Sequence, residues 1–456
     1  VILNNQNNLK FDFVNVIGAG LAGSEAALYL ANNGVRVKLY EMKKIKKTPA
    51  QTNENFAELV CSNSLKSTDD LTASGLLKKE IELLGSSLLK VAYDSSVPAG
   101  SALAVDREVF SKKITKLLQQ HENIEIIDEI VTNIDTKTPT IIATGPLTED
   151  SLFDYIKNLL GEQNCYFYDA IAPIIYTESL EKDKTFVANR YNKSFENSND
   201  ENSSDEKGDY INCTLDKAEY ELFCEQLIKA ERAPLKDFEK VFESCMPIEI
   251  MARRGLDALR YGPMKPVGLY DENGKKPYAV LQLRKESKAG TLVNMVGFQT
   301  NLTYGEQKRV FSLIPALKNA KFLRFGQMHR NSYINAPASL NEFSQLKNHP
   351  IVFIAGQLSG VEGYMESIAS GLFCAINMLQ LLKEKQLVAL SEKTVLGAMM
   401  KYISSSPQEK FVPVNSNFGI VYYDGQVIKD KKLKRENMKN QSIFEIEKVK
   451  EKLNGN

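Results

Sequence analysis

The 456-residue chain has no tryptophan, only three histidines and no excess of either charge, with 57 basic residues against 57 acidic ones. A chain with zero formal charge exerts no global field on nucleic acid, so any such surface must be a local patch. Its six cysteines are scattered, with no Cys-x-x-Cys pair. That argues against a zinc ribbon or a disulfide framework, and for free thiols in a reducing cytoplasm with no bound metal. No run of about 18 apolar residues is present, so no membrane span is expected. The opening residues VILNNQNNLK lack the charged-then-apolar order of a secretory signal. At this length a single core is insufficient, and two domains are expected.

The most informative stretch runs from Phe13 to Glu41. An apolar strand pattern, Phe13 to Ile17, leads directly into Gly18-Ala19-Gly20-Leu21-Ala22-Gly23. A helix pattern follows, Gly34 stands where a helix-ending glycine belongs, and a second strand pattern, Val35 to Tyr40, ends at Glu41. This is a βαβ unit carrying the dinucleotide fingerprint in its proper context. Gly18 permits the tight turn, Gly20 lets backbone N–H groups approach a pyrophosphate, and Gly23 lets helix and strand pack closely. The helix N-terminus favours the phosphates, and Glu41 is placed to accept from a ribose. The motif alone does not choose between FAD and NAD(P).

Two further strand-to-glycine junctions follow, Thr140 to Pro146 and Ile351 to Gly360. The second leads into an alternating small and apolar helix pattern from Tyr364 to Leu379, with Gly356 and Gln357 at its approach. Phosphate-facing turns at both ends of one chain suit an extended FAD better than NAD. Between them the pattern mixes strand and helix, which predicts an inserted α+β domain. The expected organisation is an α/β, Rossmann-like FAD domain of the glutathione-reductase type in two parts, 10–149 and 326–430. It is interrupted by the inserted domain at 150–325 and followed by a charged C-terminal tail at 431–456. Helices are also predicted over Thr72 to Lys90 and Asp106 to Gln119, and strands over Ile124 to Ile134. The polar, acidic stretch from Asn192 to Asp209 reads as a solvated loop.

The blocks VIGAGLAGSEAA, ELVCSNSLKS, PAGSALAVDREVF, ATGPLT, CMPIEIMARRG, RYGPMKPVGL, LVNMVGFQTNL, GEQKRVFSLIP, MHRNSYINAP and AGQLSGVEGYMES occur in this order. In them the chain resembles the folate- and FAD-dependent RNA (uracil-5-)-methyltransferases, the TrmFO or Gid family, from about Val14 to Tyr423. A kinship to the GidA-type wobble-modifying flavoproteins is weaker. The resemblance implies FAD, 5,10-methylenetetrahydrofolate as one-carbon donor, NADPH or NADH as reductant, and 5-methyluridine as product. The RNA implied is structured, with the tRNA T-loop favoured and 23S ribosomal RNA as the alternative.

The chemistry explains why cysteines matter. Uracil C5 is a weak nucleophile, and a thiolate adding at C6 activates it. Cys245 matches the family's nucleophile and lies close in sequence to Arg253 and Arg254, whose charge favours a thiolate and suits RNA phosphate. Cys61 matches the second cysteine, near the flavin. Cys165, Cys213, Cys224 and Cys374 read as core or incidental residues. Tyr364 could bond folate or relay a proton, or simply pack on the last FAD helix. His329 and Arg330 are candidate folate contacts, or an ordinary surface or core pair. Glu362 and Glu366 have the residue type for proton transfer, although solvation on a helix face is the plainer reading.

Arg253, Arg254, Arg260, Lys265, Lys308 and Arg309 could form a positive rim for RNA, though each alone is more often a solvated charge. The chain departs from the family pattern at Tyr304, where the family often has tryptophan before GEQ, and in the acidic stretch 194–209. Both departures concern the RNA substrate more than the chemistry. The rival readings are a plain NAD(P)H–flavin oxidoreductase and a non-enzymatic RNA-binding protein that keeps FAD for structure.

Overall fold

A computed structural model describes residues 10–48, 50–161, 166–192, 208–233, 246–271, 273–287, 289–408, 411–425 and 428–455; for 166–171, 192 and 327–330 only the backbone is described. The expected βαβ unit is formed by β1 (Val14–Ile17), α1 (Leu21–Asn32) and β2 (Val37–Glu41). β1 is an interior strand of a six-stranded sheet, third from one edge. Its spatial order is Gln345–Leu346, His349–Ile354, Thr140–Ile142, β1, β2, Ile124–Asp128. All neighbours pair in parallel except the short edge strand Gln345–Leu346.

A parallel sheet is covered on both faces, so its strands need continuous apolar runs. Val14, Val16, Ile17, Ile141, Ile142, Val352, Phe353 and Ile354 meet that need and are buried. The helix Tyr364–Leu382 packs against α1, and a Cβ on Gly371 would lie 2.2 Å from the Ala22 carbonyl oxygen, so the small residue sets the approach. This helix is long and apolar enough to cross a membrane, but 89% of its most apolar window is buried inside the protein. It is the central helix of the core, apolar on all sides because it is covered on all sides.

A second sheet is antiparallel, in the order Thr185–Val187, Tyr210–Leu215, Ala279–Lys285, Leu292–Met295, Ile174–Tyr176, Phe322–Arg324. It has its own apolar core, built from residues between Ile175 and Ala320, whereas the first core draws on Val14 to Ile156 and then Tyr333 to Ile446. The helix Asp150–Leu160 therefore packs with the parallel sheet. The chain leaves and re-enters the first unit through an antiparallel ribbon, Tyr166–Ile171 against Gln327–Ser332. The α/β class with an inserted α+β unit is the one expected from the sequence, and the sheet of that unit is antiparallel.

Local differences from the sequence expectation have clear causes. The helix expected over 72–90 is two helices, Ala73–Leu83 and Ser87–Tyr93, separated at Gly85 in the left-handed region. The second starts anew because the buried Glu25 carboxylate accepts from the Ser87 and Leu88 N–H groups. Only Ile124–Asp128 of the expected strand region is extended in the sheet. The charged C-terminal stretch is a helix, Lys431–Asn454, that buries Met438, Ser442 and Ile446.

Candidate active site

The glycine turn after β1 is shaped by close approaches. Gly18 has φ +98°, and a Cβ there would come 2.7 Å from the Ala143 carbonyl oxygen; a Cβ on Gly23 would come 1.8 Å from that of Gly18. Gly20 differs, because the space its Cβ would occupy is open. Gly18 and Gly23 are therefore required by the fold, and Gly20 leaves backbone accessible at the mouth of a cleft. Ala19 lies between them, and its N–H donates to Glu41 Oε2 at 2.8 Å, while the Lys43 N–H donates to Oε1 at 3.0 Å. Glu41 thus braces the turn from the end of β2 and still lines the cleft. A carboxylate has about four acceptor positions, so the two backbone bonds leave capacity for ribose hydroxyls.

The other walls of this cleft are Leu21, Ala22, the loop Ala143–Glu149, Gly356, Gln357 and Tyr364. Gly356, at φ +70°, faces the Ala22 side chain, and its N–H donates to Ser370 Oγ at 3.1 Å. The three glycine junctions read from the sequence therefore meet in one place. Open backbone at a helix N-terminus, an acid at the end of the second strand and a second helix approach fit an extended adenine dinucleotide.

A second cleft adjoins the first and shares Val60, Pro146, Leu147, Gln357 and Tyr364 with it. Cys61, Ser62, Lys66 and Glu362 also line it. The loop bearing Cys61 is held from both sides. The Tyr364 hydroxyl accepts from the N–H groups of Cys61 at 2.7 Å and Ser62 at 3.1 Å. Arg107 donates to the carbonyls of Leu59 at 3.1 Å and Cys61 at 3.2 Å, and Arg324 donates to those of Val60 at 3.2 Å and Cys61 at 3.4 Å. Arg107 is held in turn by the buried Glu286 of the inserted unit, with Nε 2.6 Å from Oε2. Burial, and then the nearby Cys61, push the Tyr364 phenol well above its ordinary pKa, so it stays protonated and can donate its own O–H.

Farther along the second cleft, Lys66 adopts φ +65°, a strained conformation for a side-chain-bearing residue, and its ammonium lies 2.6 Å from the fully buried Glu366. Burial pushes the Glu366 carboxyl up, but Lys66 and the donors of Ser416 outweigh it and hold the group below the usual carboxylate range. Glu366 is therefore a fixed anion and not the solvated helix-face acid its position suggested. Gln357 Nε2 donates to Glu362 Oε2 at 2.7 Å, which fixes the amide at the junction of the two clefts.

The structure brings Gly18, Gly20, Leu21, Ala22, Glu41, Gly356, Gln357, Tyr364 and Cys61 to these two adjoining clefts, while Ala19 and Gly23 belong to the same turn and line neither. Cys245 and Cys165 lie outside the described residues, as does most of the acidic stretch 194–209. His329 and Arg330 lie on the ribbon strand, and their side chains are outside the description. Cys213, Cys224 and Cys374 are buried free thiols.

The basic candidates are distributed over the inserted unit. Arg253 and Arg254 are exposed, as are Lys265 and Lys308. Arg260 lies 3.7 Å over the Tyr278 ring and bonds Asp257, so it is a packing residue as much as a surface charge. Arg309 meets Glu306 with two hydrogen bonds of 2.8 and 2.7 Å and also bonds Gln226. Sequence reading missed Arg107, Arg324, Glu286 and Lys66. Arg107 and Lys66 stand inside the quoted blocks PAGSALAVDREVF and ELVCSNSLKS, but nothing local says that an arginine will reach a loop more than forty residues earlier. Among the described residues no group of three or more His, Cys, Asp or Glu could hold a metal ion.

Comparison with known proteins gives this geometry its context. The family model described as glucose inhibited division protein A matches residues 13–386. A Bacillus subtilis protein named methylenetetrahydrofolate–tRNA-(uracil-5-)-methyltransferase TrmFO is 48% identical over 439 residues, 96% of this chain and 98% of its own. The Acetivibrio thermocellus protein of the same name is 50% identical over 424 residues, 92% of this chain and 94% of its own. Among solved structures, GidA from Aquifex aeolicus superposes with a TM-score of 0.69 at 15% identity, over 97% of this chain and 73% of that one, which speaks to the fold alone. With near-complete coverage in both directions at about half identity, the chain belongs to the TrmFO family, within the wider group described by the glucose inhibited division protein A model.

Proposed function

We propose that this chain methylates C5 of a uridine in tRNA, with 5,10-methylenetetrahydrofolate as the one-carbon donor and FAD as cofactor. The observation that carries this reading is the junction of the two clefts. Cys61 lines a cleft that shares Tyr364 and Gln357 with the dinucleotide cleft, in a chain nearly collinear with relatives named for this reaction. FAD would be held by the turn Gly18 to Gly23, by Glu41 and by Gly356 and Gln357. When bound and reduced, it supplies the two electrons that turn a transferred methylene into a methyl group. We assign NADPH or NADH as the reductant and the cytoplasm as the place of action.

The chain's own groups divide the remaining work. Cys245 adds to uracil C6 and makes C5 nucleophilic. Cys61 handles the one-carbon unit from the lining of the second cleft, on a loop held through the Cys61 and Ser62 amides and the Leu59, Val60 and Cys61 carbonyls. Tyr364 keeps that loop in place and presents a protonated hydroxyl. His329 and Arg330 serve folate, and Arg253, Arg254 and Lys308 serve the RNA backbone, with Arg309 beside them but its fork already taken by Glu306. A uridine within folded RNA must be flipped out to reach these groups.

The test uses purified protein with FAD, NADPH and labelled methylenetetrahydrofolate, offered unmodified tRNA and 23S ribosomal RNA separately. Label in 5-methyluridine of the tRNA T-loop is the expected result. Label in ribosomal RNA alone would transfer the same chemistry to the other substrate. Flavin reduction without label in either RNA would favour the oxidoreductase. A Cys245→Ala variant that kept full methylation would overturn the assigned nucleophile.

A further inference from the structure

One surface feature of the inserted unit is used by none of the steps above. Three aromatic rings form a near-parallel column. Phe322 and Phe325 stack with centroids 4.9 Å apart and planes 20° apart, and Tyr304 continues the stack on Phe325 at 5.2 Å and 18°. The inner end, Phe322, packs against the core of the inserted unit. The outer end, Tyr304, is 55% exposed and lines neither cleft. Aromatic rings favour offset-stacked or edge-to-face pairs, and they normally end in a core. This stack ends instead at a largely exposed Tyr304, so it presents an aromatic ring to solvent.

Two further observations identify the occupant. The segments 304–311 and 318–326 carry three exposed lysines, Lys308, Lys318 and Lys321, in a chain with no net charge overall, while Arg309 is matched by Glu306 and Arg324 is turned to the Cys61 loop. The column is also rigidly joined to the Cys61 loop. The buried Gln307 bonds both the N–H and the carbonyl of Gly326, at 2.7 and 2.8 Å, fixing the helix of Tyr304 to the chain beside Phe325. Arg324, next to Phe325, donates to the Val60 and Cys61 carbonyls.

Resting on the reading of RNA as substrate, we propose that the Tyr304–Phe325–Phe322 column is a stacking platform for a nucleobase of the RNA outside the reacting uridine. The platform sets the position of the RNA relative to Cys61. Local positive charge favours a polyanion over an uncharged ring, and stacking on an aromatic face tolerates any base.

The experiment measures binding of unmodified tRNA transcript, the KM values for tRNA and for methylenetetrahydrofolate, and flavin reduction by NADPH, in the FAD-loaded protein. Tyr304→Leu keeps apolar bulk on Phe325 without an aromatic face. It is expected to weaken tRNA binding and raise the tRNA KM roughly tenfold, the scale of one base–aromatic stack. The folate KM and flavin reduction stay unchanged. Tyr304→Phe and Tyr304→Trp are expected to bind as the parent does, because the face and not the hydroxyl is used. Unchanged tRNA affinity in Tyr304→Leu would overturn the platform, as would loss in Tyr304→Phe. A rise confined to the folate KM would reassign the face to a pteridine and also overturn it. If the parent protein binds no RNA, the function reading itself fails, and the platform fails with it.

Discussion

Tyr364 and Arg107 together fix the loop that carries Cys61, by different means. Tyr364 satisfies two backbone donors with one hydroxyl oxygen. Replacing it with phenylalanine removes the acceptor of both N–H groups on a loop that is only partly buried, at a cost of about 1 kcal/mol. Tyr364→Phe should retain FAD, seen in its visible spectrum, lower the thermal midpoint by a few degrees and reduce RNA methylation by at least an order of magnitude. Retained methylation with a lowered midpoint would mean that the hydroxyl is structural only. Arg107 makes a mostly buried ion pair with Glu286 and bonds the Leu59 and Cys61 carbonyls. Arg107→Ala leaves Glu286 unpaired, and breaking a buried pair from one side costs about 3–5 kcal/mol. The expected result is a marked loss of stability in urea, with Arg107→Ala/Glu286→Gln recovering part of it. A double variant no more stable than the single one would show that the pair is not coupled. These roles were invisible in the sequence, because each depends on which distant backbone a long side chain reaches.

At the scale of elements, the glycine turns were legible because their requirement is local. Gly18 and Gly23 have no room for a Cβ, and a strand, a turn and a helix follow one another without a break. Helix ends fixed by distant carboxylates were not legible. Glu25 starts the helix at Ser87, and Glu80 accepts from the Val395 and Leu396 N–H groups and from Ser442 Oγ. Glu80 thus ties three helices together, Ala73–Leu83, Val395–Ser405 and the C-terminal Lys431–Asn454. Burial raises its pKa from 4.5 to about 7, against the pull of its three donors. The folded state therefore holds this proton more tightly than the unfolded chain does. Its contribution is fully present below pH 4.5 and is lost as pH rises through about 7. Urea midpoints of the parent protein and of Glu80→Gln, measured from pH 5 to 8, should diverge, with the parent losing stability relative to the variant as pH rises. Parallel curves would show that the donors, and not burial, set the charge state of Glu80.

At the scale of the whole molecule, two cores meet across a polar seam beside the site. Asn63 donates to the carbonyls of Val105 at 3.1 Å and Lys285 at 3.0 Å and accepts from Arg284 at 2.7 Å, while Arg107 and Glu286 span the same seam. The Cys61 loop is therefore completed by the inserted unit, and on the function proposed above RNA bound on that unit would be presented to it. The zero net charge read from composition means that RNA must be held by few, local contacts, and the structure distinguishes which basic residues remain available. Lys308 is exposed, whereas the guanidinium of Arg309 is already matched to the Glu306 carboxylate, which keeps its charge close to neutralised. Each phosphate contact adds roughly one unit to the slope of log affinity against log salt. Binding of tRNA transcript between about 50 and about 300 mM salt, a span around the physiological range, should show Lys308→Ala with a slope about one unit shallower than the parent. Arg309→Ala should leave the slope nearly unchanged, because Glu306 competes with phosphate for the same fork. Equal loss of slope in both variants would mean that RNA breaks the Arg309–Glu306 pair on binding and takes the fork for phosphate.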